Sequence, residues 1–379
     1  MLIKVILAED SSYQRKVITE MISSHQNIEV VDTARNGREA IQKIGKHNPD
    51  VLLLDLIMPE VDGISVLKFL SEHYPVPTIV FTGLNPRSLD DSVQALLLGA
   101  FDFILKPQGY WKEEFPKFKK KLISSILYAA KIKKTYEKRT DLIKKSVDLQ
   151  SEIQSTHHPS RISVSLDSAK STVLSKPSIP KIKLNIIVIG TSTGGPRTLK
   201  SILKDIPKDF PCPILIVQHL NSFFMKELAK SLNNICKIEV KIPVNGEEII
   251  PGKAYLSPGG KHMKIIVRNN TPHIKIFKGE PVNFCMPSVD ILFLSAAETC
   301  KKQVLGILLT GLGDDGAAGL ESIKNEGGKT IAEAEQTCVV YGMPKAAIKR
   351  GAAQIVCPNY KIKDYMMKFS SKFTINTNN

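Results

Sequence analysis

The sequence predicts an α/β protein of two doubly wound parallel-sheet domains joined by a linker. Three observations carry this. Short, β-branched apolar runs alternate with amphipathic, helix-like stretches in both halves, the pattern of βα units. These runs stop abruptly at carboxylates, hydroxyls or glycines, as strands do where they meet a ligand-binding edge. At 379 residues the chain is too long for one core of ordinary size, and a Ser-, Lys- and Pro-containing stretch without sustained period separates the halves.

In the first half, Val5 to Ala8 leads into Glu9 and Asp10, and Val51 to Leu54 into Asp55. Thr78 to Phe81 leads into Thr82, and Phe101 to Leu105 into Lys106 and Pro107. In a parallel sheet these ends share one crevice, so Glu9, Asp10, Asp55, Thr82 and Lys106 meet there. Any one of them alone reads as a helix cap or a solvated charge. Three carboxylates converging without a cation would repel one another, so the set implies a hard divalent ion with oxygen ligands, typically Mg²⁺.

The middle of the chain reads as a helix running on from Trp111 to Lys145, with Phe115, Phe118, Leu122, Ile126, Ala129 and Ala130 at helical spacing and Pro116 limiting its start. That stripe is expected to be packing surface rather than a membrane-binding face. Ser151 to Pro180 reads as linker, with His157 and His158 solvated. The net charge of +15 divides as −4 over residues 1–110, +10 over 111–184 and +9 over 185–379. Lysine outnumbers arginine and no helix-turn-helix or zinc-finger spacing accompanies the charge, so no nucleic-acid partner is expected. No apolar run approaches a membrane span and no export signal is recognisable, which predicts a cytoplasmic protein with no membrane insertion. The six cysteines lack C-x-x-C spacing and are expected to be buried thiols.

In the second half, Ile186 to Ile189 is a buried strand that breaks at Gly190-Thr191-Ser192-Thr193-Gly194. That pentapeptide fits a G-x-S-x-G nucleophile elbow, and equally a phosphate cradle or a plain tight turn. Ile214 to Val217 ends at Gln218-His219, and Val304 to Leu309 ends at Thr310-Gly311-Leu312-Gly313-Asp314-Asp315-Gly316. If the three strands are neighbours, Ser192, His219 and Asp315 open onto one crevice as nucleophile, base and orienting carboxylate. The chain order Ser, His, Asp differs from that of α/β-hydrolases. Cys285 is a rival nucleophile with no strand end to present it.

Two sets of motifs resemble known families. Asp55-Leu56-Ile57-Met58-Pro59-Glu60-Val61-Asp62-Gly63 with Lys106-Pro107 resembles a response-regulator receiver domain over residues 1–125. The resemblance implies phosphorylation of Asp55 by a histidine kinase and Mg²⁺ on Glu9, Asp10, Asp55 and the Ile57 carbonyl. It also implies phosphoryl contacts from Thr82 and Lys106, and Phe103 as the aromatic switch. The strand-end words of the second half, with Pro287-Ser288-Val289-Asp290 and Tyr341-Gly342-Met343-Pro344, resemble the catalytic domain of the chemotaxis protein-glutamate methylesterase family, CheB. That implies a catalytic domain over 184–379 after a linker of 126–183, with Ser192, His219 and Asp315 as the triad. Backbone N–H groups of Thr193 and Leu312 would bind the oxyanion, and no cofactor is expected in this domain. The implied reaction is phosphorylation-activated hydrolysis of glutamyl methyl esters, and deamidation of glutamines, on chemoreceptors. Two departures from the family pattern are Leu220-Asn221 after the histidine and Phe284-Cys285-Met286 before Pro-Ser-Val-Asp.

Overall fold

The computed structural model describes residues 2–73, 76–83, 86–107, 115–131, 133 and 184–371. The first domain runs β1 (Ile3–Ala8), α1 (Ser12–Ser23), β2 (Ile28–Ala34), α2 (Gly37–His47), β3 (Val51–Asp55), α3 (Gly63–His73), β4 (Thr78–Thr82), α4 (Pro86–Leu98), β5 (Asp102–Leu105) and α5 (residues 115–131). Its five strands are parallel in the order β2-β1-β3-β4-β5. β3 is central and buried along its whole length, as its unbroken apolar run requires. Local chemistry sets the helix ends: the Ser11 hydroxyl accepts from the Gln14 N–H, the Asn36 amide oxygen accepts from the Glu39 N–H, and Asn48 closes α2 at φ 42°.

Four of these strands are the apolar runs picked out by sequence. The fifth, β2, escapes that reading because it is an edge strand, partly exposed along its middle, whose Glu29, Asp32 and Thr33 break up the apolar run. Helix α5 buries Phe118, Leu122, Ile126, Ala129 and Ala130 against the first sheet, so the expected stripe is core and the packed unit reaches beyond residue 125. The expected continuation to Lys145, the linker and the His157-His158 pair lie outside the described residues apart from Lys131 and Lys133.

The second domain runs β6 (Ile186–Thr191), α6 (Gly195–Leu203), β7 (Ile214–Gln218), α7 (Ser222–Ile235), β8 (Glu239–Lys241), β9 (Lys253–Leu256), β10 (His262–Arg268) and β11 (Thr271–Phe277). It continues through α8 (Val289–Cys300), β12 (Val304–Leu308), α9 (Ala317–Asn325), β13 (Lys329–Glu333), α10 (Met343–Lys349), β14 (Ile355–Cys357) and α11 (Asn359–Ser371). Seven parallel strands lie in the order β14-β13-β12-β6-β7-β9-β8. β10 and β11 form a separate antiparallel hairpin around Asn269 and Asn270, both at positive φ, beside the parallel sheet. In β11 the polar Thr271, His273 and Lys275 alternate with Pro272, Ile274 and Ile276, the signature of a half-exposed ribbon rather than a buried strand.

β6 lies between β12 and β7, with Ile189 in register with Ile307 on one side and Ile216 on the other. This aligns the ends of the three strands. α4 packs on α6 and α7, and the Phe103 ring stands 4.1 Å, centroid to centroid, from that of Phe224 on α7. No helix among the described residues is long and apolar enough to cross a membrane.

Candidate active site

At the end of β6 the chain must turn tightly into α6. Gly194 takes φ 81°, and a Cβ on Gly195 would stand 2.0 Å from Gln218 Oε1 and 2.5 Å from Thr191 Oγ1, so this turn requires glycine. The same economy brings the loop after β12 against the serine, because a Cβ on Gly311 would lie 2.8 Å from Ser192 Cβ. The Ser192 N–H donates to the Thr310 carbonyl at 3.0 Å, the Gln218 amide donates to the Ser192 carbonyl at 2.9 Å, and Thr310 Oγ1 donates to the Thr193 carbonyl at 2.9 Å. Backbone from one strand end and side chains from two neighbours thus fix the turn.

His219 follows β7 directly. Its Nε2 stands 2.8 Å from Asp315 Oδ2, and the buried Asp315 collects further hydrogen bonds from the Val289 N–H at 2.7 Å, Ser288 Oγ at 2.7 Å, the Asp290 N–H at 3.2 Å and Asn283 Nδ2 at 3.1 Å. Burial alone would raise the Asp315 pKa, but these donors, His219 above all, hold it below the ordinary value, so it is a carboxylate at neutral pH. Its neighbour Asp314 is exposed, which separates two residues the sequence places side by side. Burial would lower the His219 pKa, but the bond to Asp315 and the approach of Cys285 outweigh it and raise the ring to about 9.

The structure therefore brings Ser192, His219 and Asp315 to adjacent strand ends. It joins the last two by a hydrogen bond; among the described residues none hydrogen-bonds to the Ser192 hydroxyl, a looseness common in unliganded hydrolases. Thr193 and Leu312 flank the serine on the two loops, and no described residue accepts from either N–H.

A second site lies at the carboxyl edge of the first sheet. One ligand oxygen each from Glu9, Asp10 and Asp55 lie within 4.8 Å of one another. Lys106 Nζ reaches Asp55 Oδ2 at 2.6 Å and Glu9 Oε2 at 2.9 Å, and the Ile57 N–H donates to Asp55 Oδ1 at 3.2 Å. Burial, opposed by Lys106 and reinforced by Asp55, raises the Glu9 pKa to about 7, so a divalent cation here would compete with a proton for this carboxylate. The oxygen-only donor set fits a hard ion such as Mg²⁺. Thr82 closes β4 at the same edge, its side chain outside the description, and Phe103 lies on β5 facing the second domain.

Both halves of the chain match known protein families. Residues 187–366 match the CheB methylesterase family and residues 5–112 the response regulator receiver domain. The chain is 37% identical over 366 residues to a protein-glutamate methylesterase/protein-glutamine glutaminase of Archaeoglobus fulgidus, covering 97% of each chain. It belongs to the CheB methylesterase family. A relative of the same name from Halalkalibacterium halodurans is 39% identical over 350 residues, covering 92% of each chain. The crystal structure of the Thermotoga maritima CheB methylesterase catalytic domain is 41% identical, covers 49% of this chain and 99% of its own, and has a TM-score of 0.49.

Within that family frame the two departures acquire structure. Asn221 caps α7, its side-chain oxygen accepting from Phe223 N–H at 3.1 Å and Phe224 N–H at 3.3 Å. Phe284, at φ 60°, is fully exposed beside the site. Cys285 stands at no strand end, as expected, but the loop before α8 turns its Sγ to within 3.7 Å of His219 Nδ1. It and Cys236 are half-buried rather than buried; the other four thiols are buried as expected. Asn283, Ser288 and Glu333 escape site reasoning from sequence. Ser288 stands in a motif already singled out, but its hydroxyl donates to the Asp315 carboxylate from another loop, and Glu333 accepts the Thr310 N–H at 2.8 Å from the end of β13.

Proposed function

We propose that this chain is a protein-glutamate methylesterase and protein-glutamine glutaminase, activated by phosphorylation and acting on chemoreceptors. The observation that carries the reading is the alignment of Ser192, His219 and the multiply bonded Asp315 carboxylate on three adjacent strand ends. In this mechanism Ser192 Oγ attacks the side-chain carbonyl of a glutamyl methyl ester while His219 Nδ1 takes its proton. Asp315, ionised and held by four donors besides the ring, stabilises the imidazolium through Nε2. The Thr193 and Leu312 N–H groups receive the oxyanion. The tetrahedral adduct collapses as His219 returns the proton to the departing methoxide, which leaves as methanol. Water then attacks the acyl-serine, again giving its proton to His219, and the glutamate carboxylate is released. A glutamine side chain follows the same course with ammonia as leaving group.

The receiver domain, which we place at residues 1–125 with the packed end of α5 carrying it into the 126–183 segment that joins it to a 184–379 catalytic domain, supplies the control. Asp55 accepts a phosphoryl group from a histidine kinase. Glu9, Asp10, Asp55 and the Ile57 carbonyl would hold Mg²⁺, which supplies charge neutralisation for the incoming phosphoryl oxygens. Lys106 and Thr82 are placed to bind the transferred group, and Phe103, in contact with Phe224, carries the change to α7. α6 and α7, on which α4 rests, are the helices that begin just after Ser192 and His219, so the unphosphorylated receiver obstructs the crevice. The assigned location is cytoplasmic, with no nucleic-acid partner.

The deciding experiment measures methanol release from methyl-labelled chemoreceptor by phosphorylated protein. Ser192→Ala is expected to lower the rate by several orders of magnitude with the fold retained. Near-normal turnover in the folded variant overturns the serine mechanism.

A further inference from the structure

We infer that His219 and Cys285 form a zinc-binding site that switches the esterase off, an inference that rests on His219 being the catalytic base. Cys285 Sγ and His219 Nδ1 are 3.7 Å apart. The edge between a thiolate and an imidazole ligand on tetrahedral zinc is about 3.5–3.6 Å, from Zn–S near 2.3 Å and Zn–N near 2.0 Å. The pair already has the spacing the ion needs.

The remainder of the ring is arranged as in zinc proteins. A metal-bound histidine gives its other N–H to a carboxylate, which fixes the tautomer and raises the basicity of the ligating nitrogen. Here Nε2 faces Asp315 at 2.8 Å, and both Asp315 oxygens are occupied by donors, so Asp315 orients the ring and does not ligate. The thiol is held too: Cys285 and Val282 exchange backbone hydrogen bonds of 2.9 and 3.1 Å, closing a tight loop that points Sγ at the ring. Both side chains are partly solvent-accessible, so an ion reaches them, and the two remaining tetrahedral positions are open to water. Imidazole and thiolate select a borderline-soft ion, which separates this site from the oxygen-only cluster of the receiver. On binding, the thiol proton leaves to solvent and the Nδ1 lone pair that must accept the Ser192 proton becomes a metal ligand.

The test uses intact protein with cobalt(II) and zinc(II) salts as probes. Titration with Co²⁺ is expected to give a thiolate-to-cobalt charge-transfer band, displaced by one equivalent of Zn²⁺. The band is expected to survive in Cys236→Ala and to vanish in Cys285→Ala and in the near-isosteric Cys285→Ser, which guards against misfolding. Zinc is expected to suppress methanol release by the wild-type protein at least tenfold, and the ratio of rates with and without zinc is expected to approach one in both Cys285 variants. A band that persists without Cys285, its absence from the wild type, or equal zinc inhibition of the variants overturns the site. A Cys285-dependent band with a zinc-insensitive wild-type rate supports the metal site and overturns His219 as base.

Discussion

In the proposed mechanism His219 presents a neutral Nδ1 to accept a proton, yet the ring is raised to about 9. Burial works against that rise, and the bond to Asp315 followed by the approach of Cys285 produces it. A group with its pKa raised from 6.5 is largely protonated at neutral pH, so the active fraction grows about tenfold per pH unit and levels off above the folded pKa. The expected result is a kcat/KM profile whose ascending limb has its midpoint near 9, read from methanol release across pH. Cys285→Ser removes one of the raising contributions, so its limb is expected at lower pH. An unchanged midpoint in a folded variant would show that the thiol does not act on the ring. The linkage to stability has the opposite direction: the ring's stabilising contribution is complete below 6.5 and is lost as pH rises through about 9. In the receiver, Asp55→Asn is expected to abolish labelling by small phosphodonors with Mg²⁺; equal labelling would move the acceptor to another residue.

The elements hold the site by close approach more than by side-chain bonding. Gly311, in the loop after β12, lies where a methyl group would press on Ser192 Cβ and on Met343 Sδ, at 2.8 and 2.2 Å. Gly311→Ala is therefore expected to lower kcat by about 100-fold, the scale of a 1 Å displacement of a reacting group, with only a modest change in melting temperature. Steady-state kinetics beside thermal unfolding would check it, and equal losses in both would point to general unfolding. Such glycines, and the strand ends they serve, are legible in sequence because an apolar run that stops at small residues has few other meanings. β6 and β12 are readable for that reason, and β3 and β7 because their apolar runs stop at Asp55 and at Gln218-His219. The edge strand β2 and the β10–β11 hairpin were not, since half-exposed strands mix charge with apolar residues. Nor were the partners of Asp315: Ser288 and Asn283 sit 27 and 32 residues away in sequence, and only the folded loops join them.

At the scale of the whole molecule, the receiver and catalytic domains share an apolar boundary in which Phe103 of β5 meets Phe224 of α7. α7 begins at Ser222, three residues beyond His219 and capped by Asn221, so under the proposed mechanism a shift of the receiver would reach His219 through a single capped helix start. Such coupling needs little energy: about 1.4 kcal/mol between closed and open arrangements changes the active population up to tenfold. Removing residues 1–183 is accordingly expected to raise basal methanol release relative to the unphosphorylated full chain, and phosphorylation of the intact protein is expected to do the same. Phe103→Ala makes the test within the intact chain, because it deletes the ring that meets Phe224 without touching Ser192, His219 or Asp315. Its expected effect is higher basal activity and a smaller gain on phosphorylation, with circular dichroism confirming that the receiver remains folded. Should the truncated and full-length proteins prove equally fast, the receiver would act by improving the phosphorylated enzyme and not by covering the crevice. The Phe103 variant would then be expected to lose the phosphorylation response while its basal rate stayed the same.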